Sequence, residues 1–101
     1  MNIALDFDNT YTEDTELWDI FIKSAQKRGH VVYCVTMRAG IFADMDRLID
    51  LIGRDRVIIC GKDKYGAEPV KFKREVCMDR NIKIDVWIDD MPEMISGGTA
   101  I

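Results

Sequence analysis

A chain of 101 residues, 48% of them hydrophobic and 32% charged, has the balance of a soluble globular protein. This length suffices for one domain over residues 1–101, but not for a catalytic domain with a separate substrate-binding domain. The formal net charge of −4 argues against nonspecific binding to a nucleic-acid backbone, whereas a small phosphorylated ligand remains compatible because a metal ion and a few basic side chains can hold it.

Four short apolar runs predict β-strands. They cover residues 2–7, 31–36, 56–60 and 84–89, and they are rich in the β-branched and aromatic side chains that strands favour. Within each run the apolar residues hardly alternate with polar ones, which indicates strands covered on both faces. A short fifth strand is expected at residues 99–101.

Segments with helical periodicity separate these runs. A first helix of about 14 residues is predicted to face inward through Leu17, Ile20, Phe21 and Ala25. A second is predicted from Phe42, Met45, Leu48, Ile49 and Ile52. Gly29 and Gly53 follow these helices, where a left-handed residue is common. Residues 90–93 begin a fourth helix, and a weaker third over residues 70–80 has three inward positions, Phe72, Val76 and Arg80.

The alternation of strands and helices predicts the α/β class, as a Rossmann-like parallel sheet of about four to five strands with helices on both faces. The sequence has neither an N-terminal signal nor a membrane-spanning run, so we expect a cytoplasmic protein without a membrane partner. Cys34, Cys60 and Cys77 lack ligand-like spacing. They are interpreted as reduced core residues, with a zinc site or a catalytic thiol as the alternatives.

Polar residues at the ends of the predicted strands are the main functional signal. Asp6 and Asp8 follow the first run, Thr36 ends the second, and Asp89 and Asp90 follow the fourth. Ligands of parallel sheets bind beyond the carboxyl ends of the strands, so we expect these side chains to converge in one cleft. Each carboxylate alone has a structural alternative as a turn former or helix cap.

These carboxylates predict a Mg²⁺ cofactor. Asp6 and Asp8 are two residues apart and would face the same side, and like charges so close need a cation. Asp89, Asp90 or both would complete the ligand shell. Beside the ion Asp6 can attack a phosphate ester, because the metal neutralises the phosphoryl oxygens, and Asp8 can act as general acid and base.

Residues after the second strand are candidates for binding the substrate. Thr36 and the backbone from Met37 to residue 40, where the next helix is expected to begin, would donate hydrogen bonds to the phosphoryl group. Arg38 would clamp the substrate body or pair with a nearby acidic residue. Tyr11 or Trp18 would stack on a base or sugar, or pack against a helix.

A fixed cation is also expected, because negative charge accumulates on the phosphoryl oxygens during transfer. Lys71 is preferred, since it begins the third helix one connection before Asp89 and would project toward the same end of the sheet. The alternatives are Lys73, Lys62 and Lys64.

These motifs resemble the haloacid dehalogenase superfamily, in its phosphatase branch. Residues 6–10 are similar to its first motif, residues 31–36 to its second, Lys71 to its third and residues 86–90 to its fourth, so the resemblance covers essentially the whole chain. Asn9 stands where many members have Gly.

The resemblance implies Asp6 as nucleophile and metal ligand, and Asp8 as acid and base whose backbone carbonyl also binds Mg²⁺. It implies Thr36 and Lys71 as phosphoryl binders, and Asp89 with Asp90 as carboxylates on the metal side. The short gaps between motifs leave no room for a cap domain. Capless relatives often act on macromolecular phosphates or use a neighbouring subunit of a homo-oligomer as a lid.

We therefore predict a magnesium-dependent phosphomonoester hydrolase that forms an aspartyl phosphate. Motif spacing similar to the phosphatase half of polynucleotide kinase-phosphatases implies a nucleotide or polynucleotide terminal phosphate as one substrate class, beside small phosphorylated molecules. The alternative is a receiver-like module that binds magnesium and accepts phosphate as a signal. Asp8 discriminates between them, because a base at that position would hydrolyse the long-lived acyl phosphate that signalling requires.

Overall fold

The computed structural model describes residues 1–38, 44–61 and 71–96. Its strands are β1 (Asn2–Leu5), β2 (Val31–Thr36), β3 (Val57–Ile59) and β4 (Val86–Ile88). They form one sheet in the order β3-β2-β1-β4, and every pairing is parallel. The predicted α/β class and parallel sheet are confirmed, whereas the predicted strand at residues 99–101 lies outside the described residues.

The helices are α1 (Thr15–Lys27), α2 (Asp46–Ile52), α3 (Lys73–Asp79) and α4 (Glu93–Ser96). The carboxylate of Asp14 caps α1 by accepting a hydrogen bond from the backbone N–H of Leu17 at 3.1 Å. Gly29 follows α1 with φ +87°, as its position predicted. None of the helices in these ranges is long and apolar enough to cross a membrane.

Helices pack on both faces of the sheet. On one face, α1 and α2 contribute Ile22, Ala25, Leu48 and Ile52 to a core shared with Ile3, Leu5, Val32 and Cys34. On the other face, α3 contributes Cys77 and Val76 to a core shared with Ala4, Val35 and Ile58. Neighbouring residues of one strand supply the two cores in turn, because successive side chains point to opposite faces.

The predicted inward faces of α1 and α3 need correction. Leu17 and Ile20 are 53% and 68% exposed, whereas Asp19 is buried. Asp19 faces inward because its carboxylate accepts hydrogen bonds from the Tyr11 hydroxyl and from Arg47, both at 2.6 Å, which satisfies the charge. In α3 the fully buried positions are Lys73 and Cys77, and the predicted Arg80 is exposed.

The second helix begins later than expected. It starts at Asp46, while Met37 and Arg38, which were predicted at a helix N-terminus, are not helical. The rest of that prediction, residues 39–43, lies outside the described residues. The described backbone therefore gives no support for a helix N-terminus directly after β2.

Strand order places a topological switch point beside β1. The chain moves from β1 to β2 and β3 on one side, then returns to add β4 on the other side of β1. Just beyond the two strands, the backbone N–H of Asp6 donates to the carbonyl of Ile88 at 3.0 Å. The ends of β1 and β4 are thus joined where ligands of open α/β sheets bind.

Gly61 packs closely against the backbone that follows β2. A Cβ placed on Gly61 would lie 2.3 Å from the carbonyl oxygen of Met37 and 2.5 Å from that of Arg38. We expect Gly61→Ala to lower the free energy of unfolding by roughly 3 kcal/mol, because backbone atoms cannot give way as a flexible side chain would. Urea denaturation measures this change.

Gly29→Ala is the matched control, because the space around Gly29 is open and only its left-handed backbone is strained. That strain should cost about 1 kcal/mol. Equal losses at both positions would contradict the steric account of Gly61.

Candidate active site

Carboxylates from two neighbouring strands meet at the switch point. Asp6 follows β1, and Asp89 and Asp90 follow β4. Each of the three offers one oxygen, and these oxygens all lie within 4.8 Å of one another. Asp6 is buried, and the side chain of Asp89 is only 3% exposed. Three acidic groups held this close need a positive charge nearby.

Lys73 supplies part of that charge. Its Nζ lies 2.9 Å from Oδ1 of Asp6 and 2.5 Å from Oδ2 of Asp89, and its side chain is 2% exposed. Lys73 is the first residue of α3, so the start of that helix delivers the ammonium group to the ends of β1 and β4. Of the candidate lysines in the described residues, Lys73 is the one that contacts the carboxylate cluster.

The expectation that Lys71 projects toward the strand ends is therefore corrected. Nζ of Lys71 pairs with the Asp79 carboxylate at 2.7 Å, and both side chains are about half exposed. Lys71 precedes α3, whereas Lys73 lies in its first turn and on the same face as buried Cys77. Lys62 and Lys64 lie outside the described residues.

The loop after Asp6 adds a hydroxyl that the sequence had not indicated. Oγ1 of Thr10 lies 3.4 Å from Oδ2 of Asp6 and 3.3 Å from Oδ1 of Asp90. The loop is tightened by the N–H of Tyr11, which donates to the Asp6 carbonyl at 3.3 Å. Asn9 takes a left-handed φ of 62°, which Asn tolerates better than most residues do.

Burial and neighbouring charges shift the titration of the cluster. Burial raises the pKa of Asp6 to about 6, assisted by a hydrogen bond to Asp90 and opposed by Lys73. The same hydrogen bond from Asp6 lowers the pKa of Asp90. Burial lowers the pKa of Lys73, but its hydrogen bonds to Asp89 and Asp6 outweigh this and raise it overall. Lys73 therefore stays charged, and it compensates only part of the negative charge of three carboxylates.

Asp8 is paired differently from the other three aspartates. Its oxygens each accept a hydrogen bond at 3.0 Å from Arg38, one from Nε and one from Nη2. The same guanidinium lies over the ring of Phe7, with Cζ 4.8 Å from the centroid. Of the two roles considered for Arg38, pairing with a nearby acid is the one present here. The Asp8 side chain does not belong to the 4.8 Å cluster.

A cavity of about 240 Å³ opens over these groups. The predicted residues that line it are Asp6, Asp8, Thr36, Met37, Arg38, Asp89 and Asp90. Thr36 is 1% exposed, and its Oγ1 accepts a hydrogen bond from the backbone N–H of Arg38 at 3.3 Å. Asn9 and Lys73 add to the polar lining, and Met91 and Met94 add apolar surface. The cavity thus brings acidic, basic and hydroxyl groups together in one place.

The two aromatic side chains that were candidates for stacking on a substrate have different environments. Tyr11 is buried and stacks on Phe7 at 5.7 Å, so its ring is a packing group. Trp18 is partly exposed and packs edge-on against Phe21.

The three cysteines are free and buried. Burial raises the pKa of each thiol, which is typical of unreactive core residues.

Replacing the buried lysine tests the charge balance of the site. We expect Lys73→Met to lower the free energy of unfolding at pH 7.5 by roughly 3 kcal/mol, because Asp6 and Asp89 would keep buried charge without its partner. Lys71→Met makes the same change at an exposed pair and should cost about 0.5 kcal/mol. Chemical denaturation of both variants measures the difference, and similar losses would contradict the assignment of Lys73.

The raised pKa of Asp6 predicts a pH-dependent stability difference. Its folded value of about 6 exceeds the ordinary 3.8, so its contribution to stability is fully present below pH 3.8 and is lost as pH rises through 6. Asp6→Asn cannot titrate. In metal-free protein the variant should gain on the order of 2 kcal/mol relative to wild type between pH 4 and pH 7.5. Denaturation with a chelator present measures this, and a pH-independent difference would contradict it.

Comparison with known proteins adds no identification. No family model matches the chain, no curated protein matches its sequence, and no solved structure matches it. The resemblance of its motifs to the haloacid dehalogenase superfamily therefore stays a prediction.

Proposed function

We propose that this chain is a magnesium-dependent phosphomonoester hydrolase of the haloacid dehalogenase type, with Asp6 as the nucleophile. The observation that carries the proposal is the cluster of Asp6, Asp89 and Asp90 within 4.8 Å, with Lys73 buried against two of its members. The side chains of Asp6, Asp89 and Lys73 are almost fully enclosed, and charges buried together in this way are typical of functional sites.

The donor set suits a hard divalent cation. Carboxylate oxygens are the preferred ligands of Mg²⁺, and three carboxylates with one ammonium leave an excess of negative charge. Asp6, Asp89 and Asp90 would hold the ion, with Thr10 orienting two of them. When bound, the metal would neutralise oxygens of the phosphoryl group and so reduce their repulsion of an anionic nucleophile.

Asp6 is suited to attack phosphorus because it is fixed on several sides. Its backbone N–H is bound to Ile88, and its carboxylate contacts Lys73 and Thr10. An Asp6 oxygen would form the bond to phosphorus while the ester P–O bond breaks. Lys73 and the Thr36 hydroxyl line the cavity, where they would stabilise charge on the phosphoryl oxygens.

Asp8 is the candidate for moving protons. It would protonate the departing ester oxygen, then remove a proton from the water that attacks the aspartyl phosphate and releases inorganic phosphate. Arg38 holds its carboxylate in a two-point contact, which orients the group. The contact is half exposed at the Asp8 side, so substrate can reach it.

The Asp8–Arg38 pair also favours a second candidate function. While both oxygens of Asp8 are engaged by Arg38, Asp8 is a weaker acceptor for the proton of an attacking water. A chain that kept this pair after phosphorylation would hold a long-lived acyl phosphate and act as a phospho-accepting module. The lifetime of the phosphorylated protein distinguishes a hydrolase from such a module.

Substitution of the two aspartates tests the proposal. With Mg²⁺ and an aryl phosphate, we expect Asp6→Asn and Asp8→Asn each to lower kcat by at least about 10²-fold. Asp8→Asn should leave a phosphorylated protein that can be trapped by acid quench, whereas Asp6→Asn should not. A chelator should abolish wild-type turnover.

Asp79→Asn is the matched control, because Asp79 is exposed and pairs with Lys71 away from the cluster. It should keep wild-type turnover. Unchanged activity in Asp6→Asn would remove the proposed mechanism. Stable phosphorylation of the wild-type protein without ester turnover would favour the phospho-accepting module instead.

A further inference from the structure

A second cavity adjoins the proposed catalytic one. It is a groove of about 340 Å³ beside the start of α1 and the end of β4. Asn9, Asp89 and Asp90 line both cavities, and Asn9 directly follows Asp8. The two cavities therefore meet at these residues, and we expect a ligand whose departing oxygen lies at Asp8 to extend into the groove.

One wall of the groove is apolar, and two of its residues, Trp18 and Ile88, also pack against the protein core. Leu17 and Trp18 line it together with Ile88 at the end of β4. Leu17 is 53% exposed and Trp18 is partly exposed, so both offer apolar surface to the groove. Phe21 packs edge-on against Trp18 at 5.6 Å between ring centroids, so the indole is supported from one side.

The charged residues of the groove are all acidic. Glu13 and Asp14 line it in addition to Asp89 and Asp90, and the described residues that line it include no lysine or arginine. Lys73 and a bound cation would compensate Asp89 and Asp90, whereas no basic side chain among the described lining residues lies beside Glu13 and Asp14. A chain of phosphates would be repelled here, whereas a positive charge would be attracted to the carboxylates and to the indole face.

We propose that this groove binds the alcohol portion of the substrate and selects an apolar, positively charged group such as an alkylammonium. The inference rests on the proposed hydrolase and narrows its substrate class to a small phosphomonoester, in preference to the terminal phosphate of a nucleic acid. Trp18 and Glu13 are the residues that determine this specificity.

Matched esters test the selection. Choline phosphate carries a quaternary ammonium, 3,3-dimethylbutyl phosphate replaces that nitrogen by carbon, and a 3′-phosphorylated dinucleotide is a polyanion. With Mg²⁺, we expect kcat/KM for the cationic ester to exceed that of its neutral isostere by about two- to five-fold. The dinucleotide should be the poorest substrate of the three.

Variants on α1 and on the turn before it test whether the groove causes the preference for the cationic ester. Glu13→Gln should reduce the difference between the cationic and neutral esters, because one of the groove's carboxylates is removed. Glu16→Gln makes the same charge change at an exposed position that does not line the groove, and it should leave the ratio unchanged. Trp18→Leu should raise KM for both esters with little change in kcat, and its melting temperature separates this effect from unfolding.

Binding measured by calorimetry separates failure of the groove from failure of the hydrolase. If the aryl phosphate is hydrolysed but the dinucleotide is preferred, or the ratio is unaffected in Glu13→Gln, the groove assignment is overturned and the hydrolase stands. If no ester is hydrolysed, tighter binding of choline phosphate that depends on Glu13 and Trp18 would support the groove without the hydrolase. Equal binding of the cationic and neutral esters would overturn the groove assignment.

Discussion

The contact of one buried ammonium group with two carboxylates is the constraint on which this molecule depends. Lys73 is almost completely enclosed and contacts Asp6 and Asp89. An unpaired charge in this position would be strongly destabilising, so a folded state that buries Lys73 has to bring both aspartates to it. The interaction thereby fixes the start of α3 against the ends of two adjacent strands. It also leaves the cluster with excess negative charge, which makes a cation a fitting partner.

Much of the architecture could be predicted because it depends on local apolar patterns. Four apolar runs gave four strands, and their lack of alternation agreed with helices on both faces of the sheet. In a parallel sheet the polar residues that follow the strands gather at one edge. For this reason Asp6, Asp89 and Asp90 could be named together from the sequence.

Other features depended on partners distant in the chain. Lys71 and Lys73 are two residues apart, and which of them faces inward depends on where α3 begins. The few apolar residues of this helix did not define that start. Asp19 was not expected inside, because its burial depends on a hydroxyl eight residues away and a guanidinium 28 residues away. Local hydrophobicity contains no information on such pairs, and the same holds for Arg38 and Asp8, 30 residues apart.

The carboxylates of the cluster come from the first and last described strands, and Lys73 is 67 residues from Asp6 along the chain. These groups meet only when β1, β4 and the start of α3 are in place, so an ion that bound them would bind the folded state in preference to the unfolded chain. By mass action such an ion would stabilise the native state in proportion to the logarithm of its concentration. In a domain of this size, with a narrow stability margin, the supply of free divalent cation would then help to determine how much of the protein is folded.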